Sequence, residues 1–77
     1  MSMTTADMVR DLALSLARSG LERAEAVREL ESASGGRRVA VVRARQMMVS
    51  SVEDDSAQPD TAEAIAMLDD VLVRLPA

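Results

Sequence analysis

The chain contains no cysteine, histidine, lysine or aromatic residue. Without cysteine it can form no disulfide. Without cysteine and histidine it lacks the usual ligands of a zinc site, so neither metal nor cofactor is expected. The same absences remove the common general base near neutral pH and the strongest nucleophiles. Serine and threonine remain, but nothing beside them supplies the base that would activate them. Carboxylate pairs are the acid–base chemistry left. Asp69–Asp70 and Glu53–Asp54–Asp55 are sequence neighbours, and neighbours on a helix point about 100° apart instead of converging. A catalytic role is therefore not expected. The acidic run 53–60 contains no glycine and carries Pro59, unlike the loop that holds calcium in an EF-hand.

The missing aromatics matter for the core as well. Phe, Tyr and Trp each bury about 150–250 Å² and dominate most cores. Here Leu, Val, Ala, Met and the single Ile65 must replace them. The 77 residues are one domain's worth of chain, and the core of so short a chain rarely contributes more than about 3–5 kcal/mol. Support from a second copy or a larger partner is the expected remedy. A hydrophobic share of 48% with 29% charged residues fits a globular chain and is too apolar for a disordered one. The arginine-only basicity, with abundant Ala and Val, looks like GC-rich coding and points to a high-GC bacterium or one of its phages.

No apolar run approaches the roughly 20 residues that span a bilayer. The first residues lack the basic start and apolar block of a secretion signal. The formal net charge of −4 is a poor match for nucleic acid or an anionic membrane. The expected location is cytoplasmic, with no membrane partner.

Periodicity predicts an all-α fold: a small bundle of three to four helices, roughly 4–18, 20–34, 37–52 and 61–75, within one domain spanning 1–77. Thr4 with Asp7 three residues on is a capping box for the first helix. Met8, Val9, Leu12, Ala13 and Leu16 share its apolar face. Leu14 falls among charges, either as an isolated exposed Leu or as the mark of a second contact face. Ser19-Gly20-Leu21-Glu22 is a second capping-box pattern, which starts a new helix or kinks one long helix. Leu21, Ala24, Val27, Leu30 and Ala33 make the next face, with Glu25 and Arg28 at pairing distance. Gly35–Gly36 is the clearest break, and so short a connection predicts an antiparallel helical hairpin.

Residues 38–43 are ambiguous, because Val39, Val41 and Val42 also suit a strand. The following run favours a helix with Ala40, Val41, Ala44, Met47, Met48 and Val52 on one broad face. That much apolar surface marks the most central helix, or one buried by a partner. Residues 53–60 are expected to be an acidic linker in which the acid run and Pro59 stop the preceding helix, and Asp60 with Glu63 forms a third capping box. Ala64, Ile65, Met67, Leu68, Val71, Leu72 and Leu75 then run as a stripe. Asp70 and Arg74 are spaced to pair on the solvent side, and Pro76 ends the helix.

Charge is unevenly placed. Segment 37–52 carries Arg37, Arg38, Arg43 and Arg45 and no acid, whereas 53–77 carries seven acids and only Arg74. Antiparallel packing of these two segments would satisfy both.

Two functional classes follow. The first is a non-catalytic protein–protein interaction module, such as a small adaptor, assembly factor or regulatory subunit. It would act through apolar helix faces, with Leu68, Val71, Leu72 and Leu75, or Val41, Met47 and Met48, as contact candidates. Its partner would be a second copy, a larger protein, or both, with dimerisation completing the bundle. Met47, Met48 and Met67 are equally read as core fillers. The alternative is a small dimeric DNA-binding transcriptional regulator using the basic 37–45 segment, in which a helix after a tight turn enters a groove. Only Arg38 and Arg45, seven apart, align on one face, and no aromatic is present for base stacking. Nucleic acid is the less expected partner.

Overall fold

Thr4 starts the first helix as its spacing predicts. The Asp7 backbone N–H donates to the Thr4 hydroxyl at 3.1 Å, and the Thr4 backbone N–H donates to the Asp7 carboxylate at 3.2 Å. This computed structural model describes residues 3–54 and 59–75, without the side chains of 51–54. They form a compact all-helical domain: α1 (Thr5–Ser19), α2 (Arg23–Ser34), α3 (Arg38–Asp54) and α4 (Pro59–Arg74), with no strand among the described residues. The radius of gyration is 11.4 Å, and a compact chain of this length is expected near about 11.5 Å.

The first two helices are separate. Gly20 ends α1 at φ 77°, a left-handed conformation that costs glycine little. Ser19 does not cap α2. Its hydroxyl donates back to the Leu16 carbonyl at 2.8 Å, and Glu22 precedes α2 without a side-chain cap bond. The pattern at 19–22 therefore serves the end of one helix, not the start of the next. Gly35 ends α2 at φ 63° and Gly36 follows at φ 74°.

The second and third helices nevertheless do not pack as a hairpin. They touch each other least of any pair, while α1 and α4 each pack broadly on all three other helices. The central elements are thus α1 and α4. The expectation that 37–52 is the most central helix is corrected on this point. Segment 38–43 is helical, and its first bonds run from the Ala40 and Val41 N–H groups to the Arg37 carbonyl.

Pro59 opens α4 instead of stopping the helix before it. Proline suits the first helical position, where its missing N–H has no partner to lose. Asp60 and Glu63 bind arginines of other helices and do not complete a capping box. α3 runs to Asp54 and α4 starts at Pro59, so positions 53, 54, 59 and 60 of the predicted linker 53–60 are helical, which leaves 55–58. Those residues, the Val52 side chain and Pro76 lie outside the described residues.

The core joins Val9, Ala13 and Leu16 of α1, Ala26, Val27 and Leu30 of α2, and Val41, Ala44 and Met48 of α3. From α4 come Ala64, Met67, Leu68 and Val71, followed by Leu75. Leu12, Leu14, Ile65 and Leu72 pack partly buried against it, so Leu14 is an inward residue. In α2 the buried alanine is Ala26, while Ala24 and Leu21 are exposed. Met8 is also exposed. Met67 and Met48 occupy the volume that aromatics fill in other cores. Ser34, the one buried polar side chain among the described residues, donates to the Glu31 carbonyl at 2.8 Å.

Arginine–carboxylate pairs lace α4 to every other helix. Asp60 meets Arg18 of α1 at 3.2 Å, Glu63 meets Arg23 of α2 at 2.9 Å, and Asp69 meets Arg45 of α3. Asp70 also faces Arg23, at 3.8 Å. Arg74 does not pair with Asp70; it reaches Glu31 of α2 at 3.1 Å. Glu25 and Arg28 do not pair with each other. Each α4 contact is partly exposed, so its value is about 0–1 kcal/mol. Their number and directions select one arrangement of the four helices.

Candidate functional site

The seven apolar side chains expected to face a partner are placed mostly inside the chain's own core. Val41, Leu68 and Val71 have no exposed surface, and Met48 and Leu75 are buried. Leu72 is half-buried against the same cluster. Met47 is likewise partly open, beside Arg10, whose Nη1 lies 3.7 Å from its sulfur. These residues hold the four helices together and leave little for a second molecule to cover.

The four basic residues of α3 divide. Arg45 turns to α4 and pairs with Asp69. Arg38, seven residues earlier, also leans on α4, and its Nη1 donates to the Leu72 carbonyl at 3.1 Å. The alignment of these two on one helix face therefore has a structural use. Arg37, Arg38 and Arg43 together line a groove of about 510 Å³ between the start of α1 and the start of α3. Thr4, Thr5, Ala6, Val39 and Ala40 complete its lining.

The groove has a distinct chemistry. Ala6 and Ala40 are buried, whereas Val39 is 79% exposed. Among the described residues no carboxylate lies within ion-pair reach of Arg37 or Arg43, although Arg10, Arg18, Arg23, Arg45 and Arg74 all have one. Asp7 stands near enough for Arg43 to help hold its carboxyl below the ordinary carboxylate range. The main causes there are the bonds it accepts from the Thr4 hydroxyl and the Thr4 N–H, and Arg10 adds to them.

The placement of the arginines costs the helix something. A helix N-terminus carries partial positive charge and favours acids. The first turn of α3 has no acid, and Arg37 and Arg38 sit at that end. The groove therefore combines arginines that form no ion pair among the described residues with an exposed branched apolar side chain.

Two other clefts differ in kind. One, of about 430 Å³, is lined by Leu16, Leu21, Glu25, Arg28 and Glu29 and mixes both signs of charge. Another, of about 350 Å³, lies among Arg10, Asp11, Leu14, Met47, Met48 and Thr61. Asp69 and Asp70 turn to different helices and make no dyad. No group of three or more His, Cys, Asp or Glu side chains that could hold a metal converges among the described residues. Nor is any helix among them long and apolar enough to cross a membrane.

Sequence reading missed the contribution of Thr4, Thr5 and Ala6, because they lie more than thirty positions from α3. It also passed over Val39. A signal was present: with Ala40, Val41, Ala44 and Met48 inward, Val39 and Arg43 share the outer face at i and i+4.

No family model, curated protein or solved structure matches the chain.

Proposed function

We propose that this protein is a non-catalytic interaction module that binds a partner protein through the groove between α1 and α3. The observation carrying this reading is the joint placement of Arg37 and Arg43, both without a carboxylate partner among the described residues, around the exposed Val39. The groove places exposed apolar surface beside positive charge, a combination found at contact sites. The scarcity of catalytic side chain types supports a binding role over an enzymatic one. Self-association through Leu68, Val71, Leu72 and Leu75 drops out of the reading, since that face lies in or against the chain's own core.

Binding of DNA by Arg37, Arg38 and Arg43 is the second reading, favoured by their clustering at the start of a helix after a tight turn. The net charge of −4 opposes it, and Arg45 is committed to Asp69.

A photocrosslinking residue at position 39, compared with one at the exposed Ser15 of α1, tests both in cells of the source organism. The expected result is a protease-sensitive adduct specific to position 39 and lost in Arg43→Glu. A nuclease-sensitive adduct would establish the second reading. Equal adducts at both positions, or none, would remove the groove as a binding surface.

A further inference from the structure

The shape and charge of the groove define what it takes, and this step rests on the interaction-module reading above. We infer that the occupant is a short acidic protein segment with one apolar side chain, its carboxylates on Arg37 and Arg43 and its apolar group against Val39 and the wall of Ala6 and Ala40.

Three observations carry this. The first is charge complementarity. Arg37, Arg38 and Arg43 all line the groove, and Arg37 and Arg43 meet no carboxylate among the described residues. A guanidinium matches a carboxylate in bidentate geometry, which adds direction to attraction. The start of α3 adds positive potential from its own backbone N–H groups, with no acid in the first turn to offset it.

The second is the apolar part of the surface. Val39 is 79% exposed beside the buried Ala6 and Ala40. A Leu or Val of a peptide covers a valine more fully than a sugar–phosphate backbone does. An alanine wall also leaves room, because its side chains are the smallest that still exclude water.

The third is the charge of the whole molecule. The remaining surface is acidic, as the net charge of −4 requires. A long polyanion would run beyond the groove and meet that field within a Debye length of about 8 Å. A segment of a few residues stays inside the positive patch. Thr4 and Thr5, with short side chains, also line the groove.

The probe is a fluorescein-labelled peptide of about ten residues, glutamate-rich with a central Leu, titrated with the full chain by fluorescence anisotropy. Companion probes replace the Leu by Ala, replace each Glu by Gln, or are a labelled DNA duplex. The expected result is saturable binding of the first peptide alone. Arg43→Glu and Val39→Asp should each weaken it by about tenfold or more, equivalent to about 1.4 kcal/mol. Both positions are exposed, so the helical content of each variant should match the parent by circular dichroism. Arg43→Lys, as a further check, should restore part of the affinity that charge reversal removes.

Equal binding of the Leu and Ala peptides would overturn the apolar anchor, and equal binding of the Glu and Gln peptides the carboxylate contact. DNA binding in preference to peptide would replace the inference with a nucleic-acid site. If no peptide binds while the position-39 crosslinker captures a protein, the acidic occupant is wrong and the interaction-module reading survives. If the crosslinker also captures nothing, both fall together.

Discussion

Arg23 at the start of α2 grips Glu63 of α4 with two nitrogens. Its Nη2 donates to both carboxylate oxygens at 2.9 Å, and its Nε also donates to Oε1, at 3.3 Å. The pair spans forty positions of sequence and joins the second helix to the fourth. Because both side chains are nearly half-exposed, a double-mutant cycle of Arg23→Ala and Glu63→Ala should give a coupling of about 0.2–1 kcal/mol. That coupling should shrink in high salt, measured by thermal unfolding.

The core has little redundancy. Leu68 has no exposed surface and sits on α4, one of the two helices that pack broadly on all the others. Leu68→Ala should cost about 2–5 kcal/mol, comparable to the about 3–5 kcal/mol that a core of this size supplies. Loss of cooperative unfolding in far-UV circular dichroism at room temperature is the expected outcome. Val73→Ala, at an exposed site of the same helix, should change stability by less than about 0.5 kcal/mol.

Gly20 ends α1 at φ 77°, and a Cβ placed there would meet nothing within 4 Å. Any penalty for a side chain is therefore a backbone penalty alone. Gly20→Ala should destabilise by about 1–2 kcal/mol, and Gly20→Asn by less, since asparagine tolerates this conformation. Equal losses for the two, in chemical denaturation, would show that contacts and not backbone angle set the cost.

Asp7 gives α1 a pH-dependent start. The Thr4 hydroxyl, then the Thr4 N–H, hold its folded carboxyl below the ordinary value. Its contribution is complete above the unfolded value of about 3.9 and is lost as pH falls through the lower folded value. Asp7→Asn should flatten that part of the acid limb, followed by circular dichroism. Thr4→Ala should raise the Asp7 pKa towards the ordinary value, as read by carboxyl NMR titration.

Several of these features were legible before any fold was known. Thr4 with Asp7, and Gly35 with Gly36, mark helix ends by local chemistry alone. The apolar stripe of α4 held through Ala64, Leu68, Val71 and Leu75. The second helix was harder, because its phase was counted from Leu21, which lies outside α2. Ala24 and Ala26 are identical side chains, and only the position of α1 and α4 decides which one is covered. Pro59 reads as a stop in the sequence, and the structure makes it the first residue of α4.

The groove was less legible for a related reason. A single helix wheel shows that Arg38 and Arg45 align, but not that Asp69 engages Arg45 while Arg37, Arg38 and Arg43 line the groove beside the α1 start. Composition and local spacing determined that this chain is helical, short of catalytic groups and thinly cored, because propensity, capping and residue chemistry act over a few positions. Tertiary structure alone decided that α1 and α4 are central, which arginines are neutralised, and where Val39 is left exposed. Those outcomes depend on contacts between residues tens of positions apart, which helix packing brings together.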